Sequence, residues 1–471
     1  MAYETVIAGG RIVTGGAVVA ADIAITGGRI AAIGHGFDGA TRIDATGLIV
    51  TPGGVDPHCH IEQMSGMGLM NADTFETATR SAAMGGTTSI ISFAAQARGQ
   101  RLCDAMADYA ARAARGAAVD HAFHILISDP DVPDFEADLR ALIRAGHRSI
   151  KLFTTYNIGL SDDAILRVLR IAGDAGALTC IHAESDAIIA DARARALAEG
   201  RTRPIDHAAS RPRAAEIEAV ARMCHLAELA RAPVMIFHVS TREAVAGIAA
   251  ARARGAPIWA ETCPHYLFQT EDVLDRPGRE GAKWMCSPPQ RTRADQAALW
   301  AGIAAGHIQV VSSDHAPYRF DETGKFANGF DAPFSAIANG MPGLEVRQPL
   351  MFDAMVTRGR LGLARFAQIT AEAPAALYGL KAKGRIAPGH DADLVLWDPA
   401  RHVSYGGDDL HDNVGYNPWE GTTLTGWPVA VFVRGTAVMR EGDYLGQPGA
   451  GRWLDRAAIG AHPHDLTGTP P

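Results

Sequence analysis

The two ends of the chain share a pattern in which short apolar runs alternate with glycine turns. These runs occupy residues 5–8, 11–13, 23–25, 29–33, 393–397 and 430–433. Such runs between turn residues are typical of strands, and Arg434-Gly435 after the last one has the composition of a hairpin turn. We therefore expect both terminal segments, residues 1–50 and 376–440, to form one small β-sandwich domain.

The middle of the chain, residues 51–375, alternates apolar runs with segments rich in Ala, Leu, Arg and Glu. The pattern predicts strands near residues 48–56, 87–93, 122–128, 149–154, 178–183, 233–239, 257–262 and 308–313. Helical periodicity separates them, most clearly at residues 162–175, 214–229 and 242–254. Eight strands and their helices over roughly 300 residues predict an α/β fold, the (β/α)₈ TIM barrel. A doubly wound sheet has the same rhythm, but no G-x-G-x-x-G follows the first of these strands.

Charge and composition narrow the function classes. The formal net charge of −8 at pH 7 disfavours a nucleic-acid partner, since that needs a basic face. The sequence has no run of about 18 apolar residues and no signal-peptide core, so neither a membrane span nor secretion is expected. The six cysteines form no C-x-x-C pair, which favours free thiols in the cytoplasm. Residues 441–471 are expected to form an extended C-terminal tail.

Residues able to bind a metal follow the predicted barrel strands. His58 and His60 end the first strand, where side chains two residues apart project to the same face. His462 and His464 have the same spacing in the tail, so the spacing is informative only in the context of the barrel. Further candidates at the ends of the fourth, fifth, sixth and eighth strands are Lys151, His182, His238 and Asp314.

Each of these later residues also has a purely structural interpretation. The stem of Lys151 could lie on apolar surface with its head in water. His182 and His238 could be core histidines satisfied by one hydrogen bond, and Asp314 could cap a helix. Their joint position favours function, because the C-terminal ends of barrel strands converge on one active site. Four histidines, one aspartate and one lysine there predict a single metal centre.

These ligand types suit two borderline divalent cations, and zinc fits them best. A lysine in an apolar strand can have a lowered pKa and react as a neutral amine. Reaction with CO₂ would convert Lys151 into a carbamate, a carboxylate-like group able to bridge both cations.

Longer motifs surround these residues. They are Thr51-Pro52-Gly53-Gly54-Val55-Asp56-Pro57-His58-Cys59-His60, Gly85-Gly86-Thr87-Thr88, Lys151-Leu152-Phe153-Thr154-Thr155-Tyr156, Ile181-His182-Ala183-Glu184, His238-Val239-Ser240, Glu261-Thr262-Cys263-Pro264-His265, Ser287-Pro288-Pro289, Ser313-Asp314-His315, Asn339-Gly340-Met341-Pro342-Gly343 and Gly389-His390-Asp391-Ala392-Asp393. With these motifs, nearly the whole chain resembles the amidohydrolase superfamily and, within it, the dihydropyrimidinase and hydantoinase branch.

The resemblance implies a metal-dependent cyclic amidohydrolase with two divalent ions. The H-x-H pair and Asp314 would hold one ion, and His182 and His238 would hold the other. Carbamylated Lys151 would bridge the two ions. Tyr156 would act in catalysis by donating a hydrogen bond to the substrate carbonyl.

The resemblance also implies a reaction. A hydroxide shared by the two ions would attack the ring carbonyl, and Asp314 would carry a proton from the nucleophile to the leaving nitrogen. Backbone groups of Ser287 and Asn339 would hold the amide and imide edges of the ring. The expected substrate is a dihydropyrimidine or a 5-substituted hydantoin, which would open to an N-carbamoyl amino acid.

The sequence departs from this branch just after the H-x-H pair. Residues 61–70 replace the usual acidic residue and Met-Pro-Phe-like segment with a run that carries three methionines. Met64 and Leu69 of this run could line an adaptable apolar pocket, or they could pack beneath the loop. Phe153 and Leu160 match positions that shape the pocket for the ring substituent in hydantoinases.

Other functions stay open at this point. A cyclic imide hydrolase or an allantoinase would use the same metal ligands. A dihydroorotase is disfavoured because Glu62 stands where those enzymes carry arginine, and a non-enzymatic scaffold is disfavoured because all six ligands are kept. Relatives are commonly homotetramers or dimers, so a homo-oligomer is expected.

Overall fold

The computed structural model describes residues 2–459, so His462 and His464 lie outside the described residues. The strands in chain order are β1 (Tyr3–Thr14), β2 (Ala17–Thr26), β3 (Arg29–Gly34), β4 (Gly39–Asp44), β5 (Ile49–Pro52), β6 (Gly54–Cys59), β7 (Thr87–Ala95), β8 (Asp120–Leu126), β9 (Ser149–Phe153), β10 (Leu178–His182), β11 (Val234–Ile236), β12 (Ile258–Thr262), β13 (Val310–Val311), β14 (Leu394–Ser404), β15 (Thr423–Val433), β16 (Thr436–Arg440) and β17 (Asp443–Tyr444).

The helices alternate with the strands of the middle segment. They are α1 (Phe75–Met84), α2 (Leu102–Gly116), α3 (Phe135–Arg144), α4 (Asp162–Asp174), α5 (Asp186–Ala198), α6 (Pro204–Ser210), α7 (Arg213–Ala230), α8 (Arg242–Ala253), α9 (Pro264–Phe268), α10 (Arg293–Ala304), α11 (Leu344–Phe352), α12 (Gly362–Ala367) and α13 (Ala373–Leu377). None of the helices within residues 2–459 combines the length and apolar character needed to cross a bilayer.

The strands from both ends of the chain form one sheet. Within the described residues it has nine strands in the order β17-β16-β15-β14-β5-β1-β2-β3, with β4 paired to β1. The two ends meet where β14 pairs antiparallel with β5, placing Leu394 opposite Pro52 and Trp397 opposite Ile49. Arg434-Gly435 forms the predicted turn between β15 and β16, and both residues have positive φ angles as a tight hairpin requires.

The first strand differs from its prediction. The glycine pair after residue 8 does not end it, because β1 continues through both glycines and keeps its pairing with β2. The register shifts between Ile7 and Gly10, and Gly9 adopts φ 76° at this bulge. The Asp22 carboxylate accepts the Gly9 N–H at 2.9 Å, so the bulged backbone keeps a hydrogen-bond partner.

The middle of the chain forms the predicted barrel. Within residues 2–459, β6 to β13 make an eight-stranded sheet in chain order, with parallel neighbours. The sheet closes where the chain leaving β13 returns to β6: Cys59 bridges His315, and the His60 N–H donates to the His315 carbonyl at 2.7 Å. This closure brings the ends of the first and last strands together.

The helices cover the outside of the barrel through one apolar face each. In α4, the fully buried residues Ile165, Val168, Leu169 and Ala172 recur at helical spacing, and its charged residues face away. The helices α4, α7 and α8 agree with the predicted ranges to within one residue at each end. Periodicity therefore located these helices well.

The predicted strand 48–56 combines two strands of different sheets. β5 belongs to the terminal sheet and β6 to the barrel, with Gly53 between them. A Cβ at Gly53 would collide with the side chain of Thr88, so the close crossing there requires glycine. Pro52-Gly53-Gly54 marks the change of sheet in the sequence, but both strands are fully buried, and the apolar residues on either side were therefore predicted as one strand.

Five barrel strands end earlier than predicted, and two of them, β11 and β13, end before a predicted metal ligand. β11 ends at Ile236 and β13 at Val311, whereas the predicted strands ran to residues 239 and 313. His238 and Asp314 adopt positive φ angles of 41° and 47°, which turns the chain out of the strand. Both turns occur at residues predicted to bind metal.

Candidate active site

The C-terminal ends of the barrel strands surround a cavity of about 570 Å³. All six predicted metal ligands line it: His58, His60, Lys151, His182, His238 and Asp314. Tyr156, Ser287, Asn339 and Phe153 line it as well. The structure therefore brings together side chains that lie more than 250 residues apart in the sequence.

Three of these residues form a compact group. The Asp314 carboxylate lies 3.0 Å from His58 Nε2 and 3.6 Å from His60 Nε2. One ligand atom from each residue lies within 4.8 Å of the other two. Two imidazoles and a carboxylate at this spacing can share one divalent cation.

Hydrogen bonds fix how the two imidazoles face the cavity. Nδ1 of His58 donates to the Glu261 carboxylate at 2.6 Å, and Nδ1 of His60 donates to the Gln63 side-chain oxygen at 2.7 Å. In both rings Nε2 is left to face Asp314, as metal-binding histidines require. Sequence reasoning missed both partners. The isolated acid Glu261 in an apolar barrel strand was a usable signal, whereas Gln63 lies in a loop without a pattern.

The electrostatics of this group favour a positive charge. Burial acts to lower the pKa of His58, but the Asp314 and Glu261 carboxylates outweigh it and raise that pKa. Burial opposes ionisation of Asp314 too, yet the charge of His58 and hydrogen bonds from both histidines hold its pKa well below the usual range. A cation between these side chains would supply the charge that the carboxylates attract.

The two later histidines form the other side of the cavity. Their ring centroids are 4.5 Å apart. Nε2 of His182 donates to the Glu184 carboxylate at 2.8 Å, which leaves Nδ1 free to bind a metal. Burial lowers the pKa of His182 to about 4 and that of His238 well below its usual value, so both rings are neutral and keep a lone pair. Within the described residues, the two do not form a three-ligand group with another His, Cys, Asp or Glu.

Lys151 lines the same cavity as these two groups of histidines. Its side chain is only 1% exposed, and no ion pair joins it within residues 2–459. Its Nζ lies 4.0, 4.7 and 5.5 Å from the ring centroids of Phe237, Phe153 and Phe93. Burial in this aromatic surrounding lowers the pKa of Lys151 to about 8, so a reactive neutral amine is accessible near physiological pH.

Tyr156 belongs to a network that sequence reasoning did not find. The Arg211 guanidinium lies 4.8 Å from the centre of the Tyr156 ring and forms an ion pair with Glu184. Glu184 in turn accepts the hydrogen bond from His182. Arg211 lies in the connection between α6 and α7, where nothing in the pattern distinguishes it from the neighbouring arginines.

The apolar residues predicted to shape the substrate pocket are only partly brought together. Phe153 lines the cavity, whereas Met64, Leu69 and Leu160 are outside its described lining. Met64 is 52% exposed and bridges Met70, and Leu160 packs against the main core. Of the three methionines in the same loop, Met67 lines the cavity.

Fold and site together define a metal-binding hydrolase built on a (β/α)₈ barrel, whose catalytic face is formed by the strand ends. The sequence model of the amidohydrolase family matches residues 49–438, and the chain belongs to this family.

Similar proteins narrow the class further. The chain is 41% identical over 467 residues to a D-hydantoinase of Streptomyces coelicolor, covering 97% of this chain and 99% of that protein. It is 40% identical over 457 residues to a D-hydantoinase of Rhizobium radiobacter, covering 96% and 99%. The crystal structure of dihydropyrimidinase from Brevibacillus agri superposes with a TM-score of 0.94 at 37% identity, covering 97% and 99%. The predicted superfamily, barrel fold and class of metal-dependent cyclic amidohydrolase are thereby confirmed.

Proposed function

We propose that this protein opens the ring of a dihydropyrimidine or a 5-substituted hydantoin by hydrolysis and releases an N-carbamoyl amino acid. The convergence of the six candidate metal ligands on one cavity carries this proposal. The full-length similarity to D-hydantoinases supports the substrate class. The cyclic imide hydrolase and allantoinase alternatives are not favoured by these relatives.

The residues of the cavity fit a pair of divalent cations, for which zinc suits the ligand types best. His58, His60 and Asp314 would hold one cation, and the two later histidines would hold the other. Carbamylated Lys151 would bridge them, and its burial among aromatic rings, with no ion pair to it within residues 2–459, favours the neutral amine that reacts with CO₂. Bound there, such cations supply Lewis-acid polarisation of the ring carbonyl and acidification of water.

The side chains of the protein would carry the remaining steps. Asp314, ionised because of its histidine neighbours, would accept the proton of the attacking water and deliver it to the leaving nitrogen. The Tyr156 hydroxyl, on a residue that is 37% exposed and lines the cavity, would donate a hydrogen bond to the carbonyl oxygen as negative charge develops there. Backbone groups of Ser287 and Asn339 would hold the ring edges.

A panel of cyclic substrates tests this proposal. Zinc-loaded protein is assayed with dihydrouracil, hydantoin, 5-phenylhydantoin, succinimide, allantoin and dihydroorotate. Turnover of dihydrouracil and the two hydantoins, with N-carbamoyl products identified by mass spectrometry, is the expected result. Turnover of allantoin or dihydroorotate alone would keep the metal chemistry and overturn the substrate class. The homotetramer or dimer and the cytoplasmic location stay predictions, which light scattering and cell fractionation check.

A further inference from the structure

Lys325 is a buried cation that the proposed chemistry does not use. It lies in the long connection between β13 and α11, and its side chain is fully buried. Its Nζ donates to the carbonyl of Ala338 at 3.0 Å and to that of Gly340 at 2.7 Å. No carboxylate forms an ion pair with it in the part of the chain that the structure describes. The two carbonyls that hold this ammonium flank Asn339.

A backbone hydrogen bond joins the segment that Lys325 holds to the segment that carries Ser287. The Gly340 N–H donates to the Met285 carbonyl at 2.8 Å, two residues before Ser287. Nε2 of His207 donates to the Cys286 carbonyl at 2.8 Å. His207, which lines the cavity, thus holds the segment that carries Ser287, and Lys325, which does not line it, holds the segment that carries Asn339.

Gly340 restricts where the backbone of this segment can lie. It adopts φ 143°, and a Cβ there would collide with the backbone oxygen of Ala316. The segment therefore passes close to the chain that follows Asp314, and a small shift would also move the backbone of Asn339. Hydrogen bonds to both neighbouring carbonyls are well placed to prevent such a shift.

The cost of this arrangement points to a role beyond packing. Burying an ammonium without a counter-ion is unfavourable, and here burial lowers the pKa of Lys325 to about 7. The titratable groups that face it offer no charge at neutral pH. Burial raises the pKa of the Cys286 thiol well above its usual value and lowers that of His207 to about 3. A neutral side chain could fill the same space at lower cost, but it would hold the two carbonyls less firmly.

We propose that Lys325 is a positioning residue for substrate recognition, because it fixes the Ala338–Gly340 backbone so that Asn339 can hold the ring edge of the substrate. The inference rests on the proposed function, since Asn339 binds substrate only if a cyclic amide enters this cavity. Lys325 itself does not line the cavity described above and acts through the segment that it holds.

The test compares Lys325→Met with Lys381→Met, a matched change at an exposed lysine, in metal-loaded full-length protein. We expect Lys325→Met to raise KM about tenfold while kcat falls less than about threefold, because ground-state positioning of the ring is lost and the metal centre is kept. Metal content should equal that of wild type. Hydrogen–deuterium exchange of peptides spanning residues 334–343 should become faster in Lys325→Met and stay unchanged in Lys381→Met.

Unchanged exchange in Lys325→Met, or faster exchange with unchanged KM, would overturn the inference. If Lys325→Met does not fold, Lys325→Gln is measured instead, since one amide donor can reach one of the two carbonyls and should give an intermediate effect. If wild type opens none of the rings in the panel, the proposed function fails, and the role of Lys325 in substrate recognition fails with it. If wild type is active and the Lys325 variants match it in KM and in exchange, this inference fails and the proposed function stands.

Discussion

The cavity has a barrel lining, formed by residues at the strand ends such as His58, and a loop lining, formed by residues of the 61–70 loop such as Met67. The two linings differ in how their side chains are held. On the barrel lining, His58 is buried at a strand end and hydrogen-bonded to Glu261 from another strand. On the loop lining, Met67 is 41% exposed, and its backbone N–H donates to the Ser65 hydroxyl of the same loop. Closely held strand ends suit chemistry that needs fixed geometry, and an exposed loop suits the selection of substrates. Substitutions on the barrel lining should therefore affect turnover most, and those on the loop lining should affect the preference among substrates.

The largest effect is expected from Asp314→Asn. The amide keeps the shape of the carboxylate but cannot accept the proton of the attacking water, so kcat should fall about a thousandfold or more. Thermal unfolding should stay close to wild type, because the fold around the side chain is retained. Steady-state rates with hydantoin and circular dichroism measure the two quantities. Turnover near that of wild type would remove Asp314 from the mechanism.

Lys151→Ala should act through the metal rather than through proton transfer. Without a bridging group we expect the metal content per chain to fall by half or more, with activity lost in parallel, as measured by plasma mass spectrometry and a rate assay. A ¹³C signal of a carbamate after incubation of wild type with ¹³CO₂ would support the modification directly. Lys381→Ala serves as the control, because this lysine is exposed. Full metal content with a normal rate in Lys151→Ala would refute the bridging role.

Glu261→Gln tests whether the charge of the carboxylate that accepts the His58 hydrogen bond contributes to metal binding. The amide can still contact His58 Nδ1, but it removes the negative charge that orients the ring and favours a cation. We expect metal affinity to fall by about 10–100-fold, measured by competition with a chelator. Glu420→Gln, at an exposed glutamate, should leave affinity unchanged. Equal affinities in the two variants would mean that the hydrogen bond alone, without charge, orients His58.

The difference between the two linings also explains which residues of the site could be predicted from the sequence. The candidate metal ligands could be predicted because each lies within or shortly after a barrel strand, and the topology of a barrel brings all strand ends to one face. Glu261 could have been found by the same reasoning, as a lone acid in an apolar strand. The βα rhythm likewise predicted the fold, although it did not reveal the change of sheet at Gly53, where buried apolar residues lie on both sides of the glycine pair.

Residues contributed by connections were not accessible in this way. Gln63, Arg211 and Lys325 reach the site or its surroundings from segments without periodicity, so their neighbours depend on the path of the loop. For the same reason, the sequence did not show which methionine of residues 61–70 lines the cavity. A pattern of apolar residues in a loop indicates a pocket but does not say which side chain enters it.

The smallest expected effect distinguishes two of these methionines and tests the loop lining itself. Met67 lines the cavity, whereas Met64, three residues earlier, is 52% exposed and outside the lining. Met67→Ala should change the ratio of kcat/KM between 5-phenylhydantoin and hydantoin by about three- to tenfold, because removing methylene groups from an apolar contact has modest effects on discrimination. Met64→Ala should leave the ratio within about twofold of wild type, and neither variant should alter metal content. If Met64→Ala shifts the ratio and Met67→Ala does not, then the loop binds substrate in a conformation other than the one described, and its role in preference would depend on movement rather than on a preformed wall.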